Sequence, residues 1–266
     1  MAKTVSFISR RFGKYDPWDI KDYEDHDGFQ ALRRALTMDG YDIAKVLSAN
    51  GIQGRGGAAY DMGRKWTQAR DEKGENKCVV CNADEGEPGT FKDRELLKRD
   101  PFQVLEGMII AGWAVGANNG YIYLREEYSH LRPVLRNAIE QCEKAGYLGE
   151  NILGSGLNYR IHLYSGAGAY VCGEGSALSE SVEGKAGRPR KKPPYIKQCG
   201  VFHLPTCVNN VESLSLVPNV LLDDAGFYKS QGTPECPGTK MISVCGNVNN
   251  PGVFEIPFGT TIREII

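Results

Sequence analysis

Apolar residues along this chain fall into short blocks whose period changes repeatedly. Cys78–Ala83 is a compact apolar run and reads as a buried strand. Tyr121–Leu124 and Tyr159–Tyr164 carry the pattern of two further strands. Between them the spacing lengthens. Phe102–Ala117 reads as a helix, and Leu131, Val134, Leu135, Ala138, Ile139, Cys142 and Ala145 mark one face of a helix over Ser129–Gly146. Gly28–Thr37, Tyr41–Ala49, Arg64–Ala69 and Ser176–Glu183 predict more helices, and Asn50-Gly51 is a helix stop. Asn209–Leu222 reads as a helix that Pro218 kinks or breaks. Strands alternating with helices predict a mainly parallel α/β sheet. Gly184–Pro205, rich in Pro, Lys and Arg, interrupts the alternation as a long functional loop. From about Lys240 the character changes: a strand Met241–Cys245, a turn-rich Gly246–Gly252, a strand Val253–Ile256 and a helix start at Thr260 predict the opening of a second, small α/β domain.

Composition narrows the function classes. The net charge of -1 disfavours nucleic acid as a partner, because a phosphate backbone needs a basic excess. The longest apolar-leaning stretch, Val104–Ala117, is interrupted by Glu106 and falls short of the roughly 20 residues that span a bilayer. Met1–Tyr15 has no apolar segment of a secretory signal, so the expectation is a cytoplasmic protein with reduced thiols and no membrane insertion. Of eight cysteines only Cys78 and Cys81 form a CxxC, and their apolar segment makes them core residues. No zinc pattern and no complete iron–sulfur ligand set is visible, so no metal ligand is assigned.

Glycine changes the picture, because the 32 glycines cluster. Gly51-Ile-Gln-Gly-Arg-Gly-Gly-Ala-Ala-Tyr60 lets backbone N–H groups approach an anion, and a helix N-terminus and Lys65 follow it. A plain flexible turn would look the same. Asn82-Ala-Asp-Glu-Gly-Glu-Pro-Gly89 puts Asp84, Glu85 and Glu87 at a strand's end, where α/β folds collect ligands; they can accept hydrogen bonds from ribose or ribityl hydroxyls, or form a solvated acidic turn. Gly166–Ala177 is a second glycine stretch before a helix, with Tyr170 able to shield a planar ring or simply pack. Lys185, Arg188, Arg190, Lys191 and Lys192 form a basic run that is either solvated or phosphate-holding, and Tyr195 after Pro193-Pro194 is an adenine platform. Asn209 and Asn210 either cap a helix or offer amides to a flavin.

In order, GRGGAAYDMGRKW, NADEGEPGTFKDR, GAGAYVCGEGSALSESVEG, KPPY and PTCVNNVES resemble the successive motifs of the FMN- and NADH-binding flavoprotein subunit of respiratory complex I, a module shared with soluble NAD-linked hydrogenases and formate dehydrogenases. The resemblance covers Gly51 to Ser213 and is expected to continue to Ile266. It implies a Rossmann-like FMN domain, then a ubiquitin-like (β-grasp) domain, then a helical domain with a [4Fe–4S] cluster. Mapped here, residues 1–50 are a helical extension, 51–236 the FMN/NADH domain and 237–266 the beginning of the β-grasp domain. The resemblance implies FMN held near Gly54, Arg55, Gly56, Gly57, Lys65, Asn82, Asp84, Tyr170, Gly173, Glu174, Asn209 and Asn210. It puts Glu85 and Glu87, the catalytic positions, beside the nicotinamide or ribose of NADH, and Tyr60 and Tyr195 around the adenine. A hydride would pass from NADH to FMN, and electrons singly to an iron–sulfur cluster outside this chain. The implied partners are a thioredoxin-like [2Fe–2S] subunit and further iron–sulfur subunits, holding the protein peripherally on the inner face of a membrane. A soluble hydrogenase, formate dehydrogenase or bifurcating complex is an alternative setting, and a nucleotide-binding scaffold without turnover is another.

Three departures matter. The usual Gly-Glu-Glu-Thr is Gly173-Glu-Gly-Ser176, so Gly175 removes a carboxylate near the dinucleotide and loosens the preference for NAD over NADP. Gln68 stands where a further adenine-contacting aromatic is usual. The chain ends before the cluster domain, so none of its ligands is assigned and a fragment of a longer protein is expected.

Overall fold

The computed structural model describes residues 4–266. Three short helices come first: α1 (Ile20–Asp25), α2 (Gln30–Ala35) and α3 (Gly40–Ala49). The glycine loop leads into α4 (Met62–Asp71). Then the alternation begins: β1 (Cys78–Ala83), α5 (Lys92–Arg99), α6 (Pro101–Val115), β2 (Asn119–Leu124), α7 (Arg132–Lys144), β3 (Arg160–Ser165), α8 (Gly175–Val182), β4 (Thr206–Asn210) and α9 (Val211–Leu221). A one-turn α10 (Phe227–Ser230) precedes the hairpin of β5 (Thr239–Val244) and β6 (Gly252–Pro257), and α11 (Ile262–Ile265) follows it.

The first four strands form one parallel sheet in the order β3-β2-β1-β4, with Cys81 opposite Ile122 on one side and Asn209 on the other. The direction of strand addition reverses between β1 and β4. Loops leaving those two strands diverge, and a crevice opens outside their carboxyl ends. That position, set by topology, is where a site is expected.

Burial explains α6. Nearly every residue of this helix is inaccessible, packed between the sheet, α2 and α9. Its apolar character all round is that of a core helix. Among the described residues no helix is long and apolar enough to cross a membrane. Glu106 sits fully buried in it and accepts hydrogen bonds from Tyr23 Oη (2.6 Å), Phe29 N (3.1 Å) and Leu32 N (2.9 Å). It thereby caps α2, whose N-cap residue, Phe29, offers no side-chain acceptor. Ile8, Tyr23, Phe29, Leu32, Ile43 and Leu47 belong to the same hydrophobic core as α6 and α9, so residues before the glycine loop are part of the main packing unit. The buried Glu255 of β6 likewise accepts from the backbone N–H groups of Phe7 (2.9 Å), Ile8 (2.9 Å) and Ser9 (3.0 Å), tying the N-terminal segment to the hairpin.

Three expectations need correction, and one helix went unpredicted. Thr206–Asn210 is a strand and the helix starts only at Val211; five residues ending in two asparagines carry too little alternation to announce an edge strand. Pro218 does not break α9. Proline has no N–H for the carbonyl of Leu214, but that oxygen faces α6 at Gly107, where a Cβ would stand 2.1 Å away, so the helices close together over the defect. Helix α5 went unpredicted because its N-cap residue, Phe91, offers no side-chain acceptor and its cap, Glu85, reaches it only when the preceding loop folds back. The helix expected from Ser129 begins at Arg132, after a 3-10 stretch over Glu126–Leu131.

Candidate functional site

At the reversal between β1 and β4 lies a cleft of about 930 Å³, near the upper end of the roughly 300–1,000 Å³ usual for ligand sites. The loop after β1, the end of β4, the glycine loop before α4 and the turn Tyr170–Gly173 before α8 enclose it. All the predicted site residues line it except Gly175, Tyr195 and Asn209.

The glycine loop offers donors. Gly57 has φ +109°, a conformation glycine adopts without strain. Among the described residues the N–H groups of Gly56 and Gly57 have no partner, whereas Gly54 N donates to Tyr60 O and Arg55 N to Ser213 Oγ (2.9 Å). The Arg55 side chain is buried, and its guanidinium is engaged by other protein groups. It donates to Tyr228 Oη (2.7 Å) and Thr239 O (3.0 Å) and lies over the Phe258 ring, fastening the loop to the C-terminal hairpin. The N-terminus of α4 is not free for an anion either, because the Asp61 side chain caps it. Positive charge at the loop comes from Lys65, whose Nζ donates to Val208 O (3.1 Å) and keeps two donors to spare.

The acidic loop divides its labour. Asn82 stitches β1 to the second glycine stretch by donating to Gly173 O (2.8 Å), and it accepts from Asp84 N (3.1 Å). Asp84 Oδ2 is buried without a hydrogen-bond partner. Burial pushes this carboxyl up to about 6, against the pull of Arg125. Glu85 is buried, and its oxygens accept from Asp93 N (3.0 Å), Arg94 N (3.2 Å) and Tyr128 Oη (3.0 Å). It is the missing cap of α5, and burial raises its pKa. Glu87 stands at the rim and accepts a hydrogen bond from Tyr170, whose exposed ring lies over Gly86. Glu174 caps α8 through Ser176 N (2.8 Å) and Ala177 N (3.0 Å) and pairs with Lys192 (2.9 Å). Burial raises its pKa, but these donors outweigh burial and bring it down to about 2.

Alternation along β4 separates the two asparagines. Asn209 is buried on the far face, where its Oδ1 accepts from Trp66 Nε1 (3.2 Å), so its amide does not reach the cleft. Asn210 caps α9 and donates to Asp93 Oδ2 (2.6 Å). Beside it is a network not singled out from sequence. Lys92 Nζ lies 2.7 Å from Asp93 and 2.8 Å from the buried Glu212, and Lys92 and Asp93 line the cleft. The available signal was their place inside the NADEGEPGTFKDR motif, without any hint that Glu212 would meet them.

A second cavity of about 480 Å³ adjoins the first through shared Tyr60, Lys65 and Val208. Tyr195 lines it, with Gln68, Lys192 and Lys197, and Gln68 donates to Tyr60 Oη (2.9 Å). Gly175 lies on its border: a Cβ there would meet Ile196 Cδ1 and Val208 Cγ2, both in the wall. Within the basic run, Arg190 pairs with Glu180 and Glu183 and holds the carbonyl of Gly200 (2.7 Å), so it staples the long loop onto α8. Cys78 and Cys81 are buried on β1, and burial pushes the Cys78 thiol up to about 12.

The geometry therefore combines two free N–H groups and an ammonium on one wall with an unsatisfied carboxylate oxygen on the other. A ligand carrying both an anionic group and hydroxyl donors satisfies this set.

Comparison with known proteins agrees with that chemistry. The profile of the family described as the Nuo51 FMN-binding domain matches residues 47–219. The NADH-quinone oxidoreductase F subunit of Aquifex aeolicus (strain VF5) is 45% identical over 263 residues, covering 99% of this chain and 62% of that protein. The NADP-reducing hydrogenase subunit HndC of Solidesulfovibrio fructosivorans is 42% identical over 99% of this chain and 54% of its own length. Among solved structures, a chain of an NAD+-reducing [NiFe]-hydrogenase in the H2-reduced state superposes with TM-score 0.83 at 40% identity, over 90% of this chain and 40% of that one. This chain thus spans little more than half the length of the curated relatives it matches.

Proposed function

The chain belongs to the family of the Nuo51 FMN-binding domain, and from that premise we propose that its cleft binds FMN noncovalently and accepts a hydride from NADH. The observation that carries this reading is Asp84 Oδ2, a buried acceptor without a partner among the described residues, on a residue that lines the same cleft as Gly56 and Gly57, whose N–H groups are free there. When bound, FMN supplies the hydride acceptor and the change from a two-electron donor to one-electron release toward an iron–sulfur centre outside these 266 residues.

The chain's own residues bind and orient. Gly56, Gly57 and Lys65 hold the flavin phosphate, and Asp84 accepts from a ribityl hydroxyl. Tyr170 and Glu87 shape the rim where the nicotinamide enters. Tyr60 and Tyr195, both in the second cavity, flank the adenine. Glu85 acts by holding the start of α5 and not as an acid or base, since both its oxygens are engaged. Residues 51–236 are the FMN/NADH domain on this reading. The antiparallel hairpin within 237–266 supports the opening of a β-grasp domain, and residues 1–50 are a helical extension of which Ile8, Tyr23, Leu32 and Leu47 join the core. The partners are iron–sulfur subunits of a larger complex. The similarity to a solved hydrogenase chain favours, as a second setting, the flavin-binding part of a soluble hydrogenase.

The purified chain is expected to take up FMN with a yellow absorbance spectrum and to bleach on anaerobic addition of NADH. FMN that binds but is bleached by neither NADH nor NADPH overturns the oxidoreductase reading.

Asp84 makes a second expectation. Its folded pKa of about 6 lies above the ordinary value of 3.8, so the folded chain binds the extra proton between those pH values. Ligand-free stability therefore falls as pH rises through that window. A hydroxyl donor on Oδ2 favours the ionised form, so FMN affinity is expected to fall as pH drops from 7 to 5, roughly tenfold at most per pKa unit moved. The flavin phosphate titrates nearby as well. The readout is thus the difference between the wild-type and Asp84→Asn curves in a fluorescence-quenching titration, and superimposable curves refute the role of Asp84.

A further inference from the structure

We propose that the second cavity is built for a phosphorylated adenosine, so that the 2′-phosphate dinucleotide NADPH binds there in preference to NADH. The inference rests on the dinucleotide reading above and names the substrate of that same site more closely. Its basis is the distribution of charge between the two cavities. The first cleft is lined by Asp84, Glu85, Glu87, Asp93 and Glu174. The second, which carries the exposed Tyr60 and Tyr195, is lined among the described residues by Lys65, Lys192 and Lys197 and by no carboxylate.

On the dinucleotide reading, an adenosine held between Tyr60 and Tyr195 would place its ribose in the cavity these lysines line. Discrimination against a 2′-phosphate ordinarily needs a carboxylate there, which accepts from the ribose diol and repels the phosphate dianion. The wall supplies the opposite charge. Two of its lysines have carboxylate partners outside the lining: Lys192 lies 2.9 Å from Glu174 and Lys197 3.5 Å from Glu72. Both lysine side chains are more than a third exposed, so these pairs are solvent-screened and can rearrange toward a dianion. Among the described residues, Lys65 Nζ donates only to a carbonyl, that of Val208. Position 175, from which a side chain would project against Ile196 and Val208 of the wall, is glycine and adds no acid. The nearest obstruction to a longer residue there is Ile196 Cδ1, at 2.5 Å from a Cβ, the free end of a flexible side chain.

The test separates the phosphate from the rest of the dinucleotide and needs no flavin. Binding of adenosine 2′,5′-bisphosphate and of 5′-AMP to the 266-residue chain is measured by calorimetry at low ionic strength. The bisphosphate is expected to bind on the order of tenfold tighter, as two charge-assisted contacts allow. That advantage shrinks towards unity in the Lys192→Ala/Lys197→Ala variant and in Gly175→Glu, while Tyr195→Ala weakens both nucleotides alike. Equal affinities, or a bisphosphate advantage untouched by the lysine and Gly175 variants, overturn the phosphate site and leave the dinucleotide reading standing. Failure of both nucleotides to bind a chain that binds FMN overturns the dinucleotide reading and this proposal together.

Discussion

Lys92→Met is expected to destabilise the protein by about 3–5 kcal/mol, the usual cost of leaving a buried carboxylate without its cation; that carboxylate is Asp93, since Glu212 keeps Arg55 at 3.8 Å. Lys92 is almost enclosed between Asp93 and Glu212, at 2.7 and 2.8 Å, and both carboxylates are nearly inaccessible. Burial alone would lower the lysine's pKa, but these two partners outweigh it and raise it, so the ammonium stays charged. Methionine keeps the aliphatic stem and removes only the charge. The loss also carries a signature in pH. Burial already raises the pKa of Asp93, with Lys92 opposing it. Without Lys92 the shift grows, and an acid with a raised folded pKa binds more protons when folded. Stability then falls as pH rises through that folded pKa, so the deficit of the variant is smallest at acid pH. Urea denaturation at several pH values measures it. A loss below about 1 kcal/mol at neutral pH, the size of a surface pair, would contradict the network. FMN uptake should weaken in parallel, because Lys92 and Asp93 form part of the cleft wall.

Glu106→Ala should cost a similar amount, about 3–5 kcal/mol, for a different reason. Two backbone N–H groups and the Tyr23 hydroxyl lose their acceptor inside a closed core, and each orphaned group carries a desolvation penalty of about 1–3 kcal/mol. Burial raises the pKa of Glu106, opposed by those same donors. Glu106→Gln, neutral and still able to accept, should therefore lose clearly less than alanine. If glutamine and alanine are equally damaging in thermal and urea denaturation, capping is not what this carboxylate does. The expected structural consequence is local: α2 frays first, which hydrogen exchange at Phe29–Leu32 reports.

These two residues show how far linear reading carries. Glu106 was visible as an interruption of an apolar run, and that was enough to disfavour a membrane span. That the same residue caps α2 was not visible, because its donors lie more than seventy residues earlier. Helix α5 was missed for the mirror reason: its cap, Glu85, sits in the preceding loop and meets Asp93 only once the chain has turned. The fourth strand was missed because Thr206–Asn210 forms only against β1.

The candidate site divides in the same way. Glycine clusters, the acidic turn after β1 and the order of motifs were properties of the sequence alone. They named the family and nearly all of the cleft lining, because backbone approach and strand-end loops depend on local residue types. The direction of each side chain depended on the fold. Arg55 was expected near the ligand; it lines the cleft, while its guanidinium fastens the loop to the hairpin. Asn209 and Asn210 looked equivalent until alternation along β4 sent one to Trp66 and the other to the cleft edge. The reversal between β1 and β4 decided where the cleft opens, and burial without a partner set Asp84 apart from its two acidic neighbours. Residue type and spacing carry the kinds of interaction a segment can make; which groups remain unsatisfied, and so available to a ligand, depends on contacts between segments far apart in the chain.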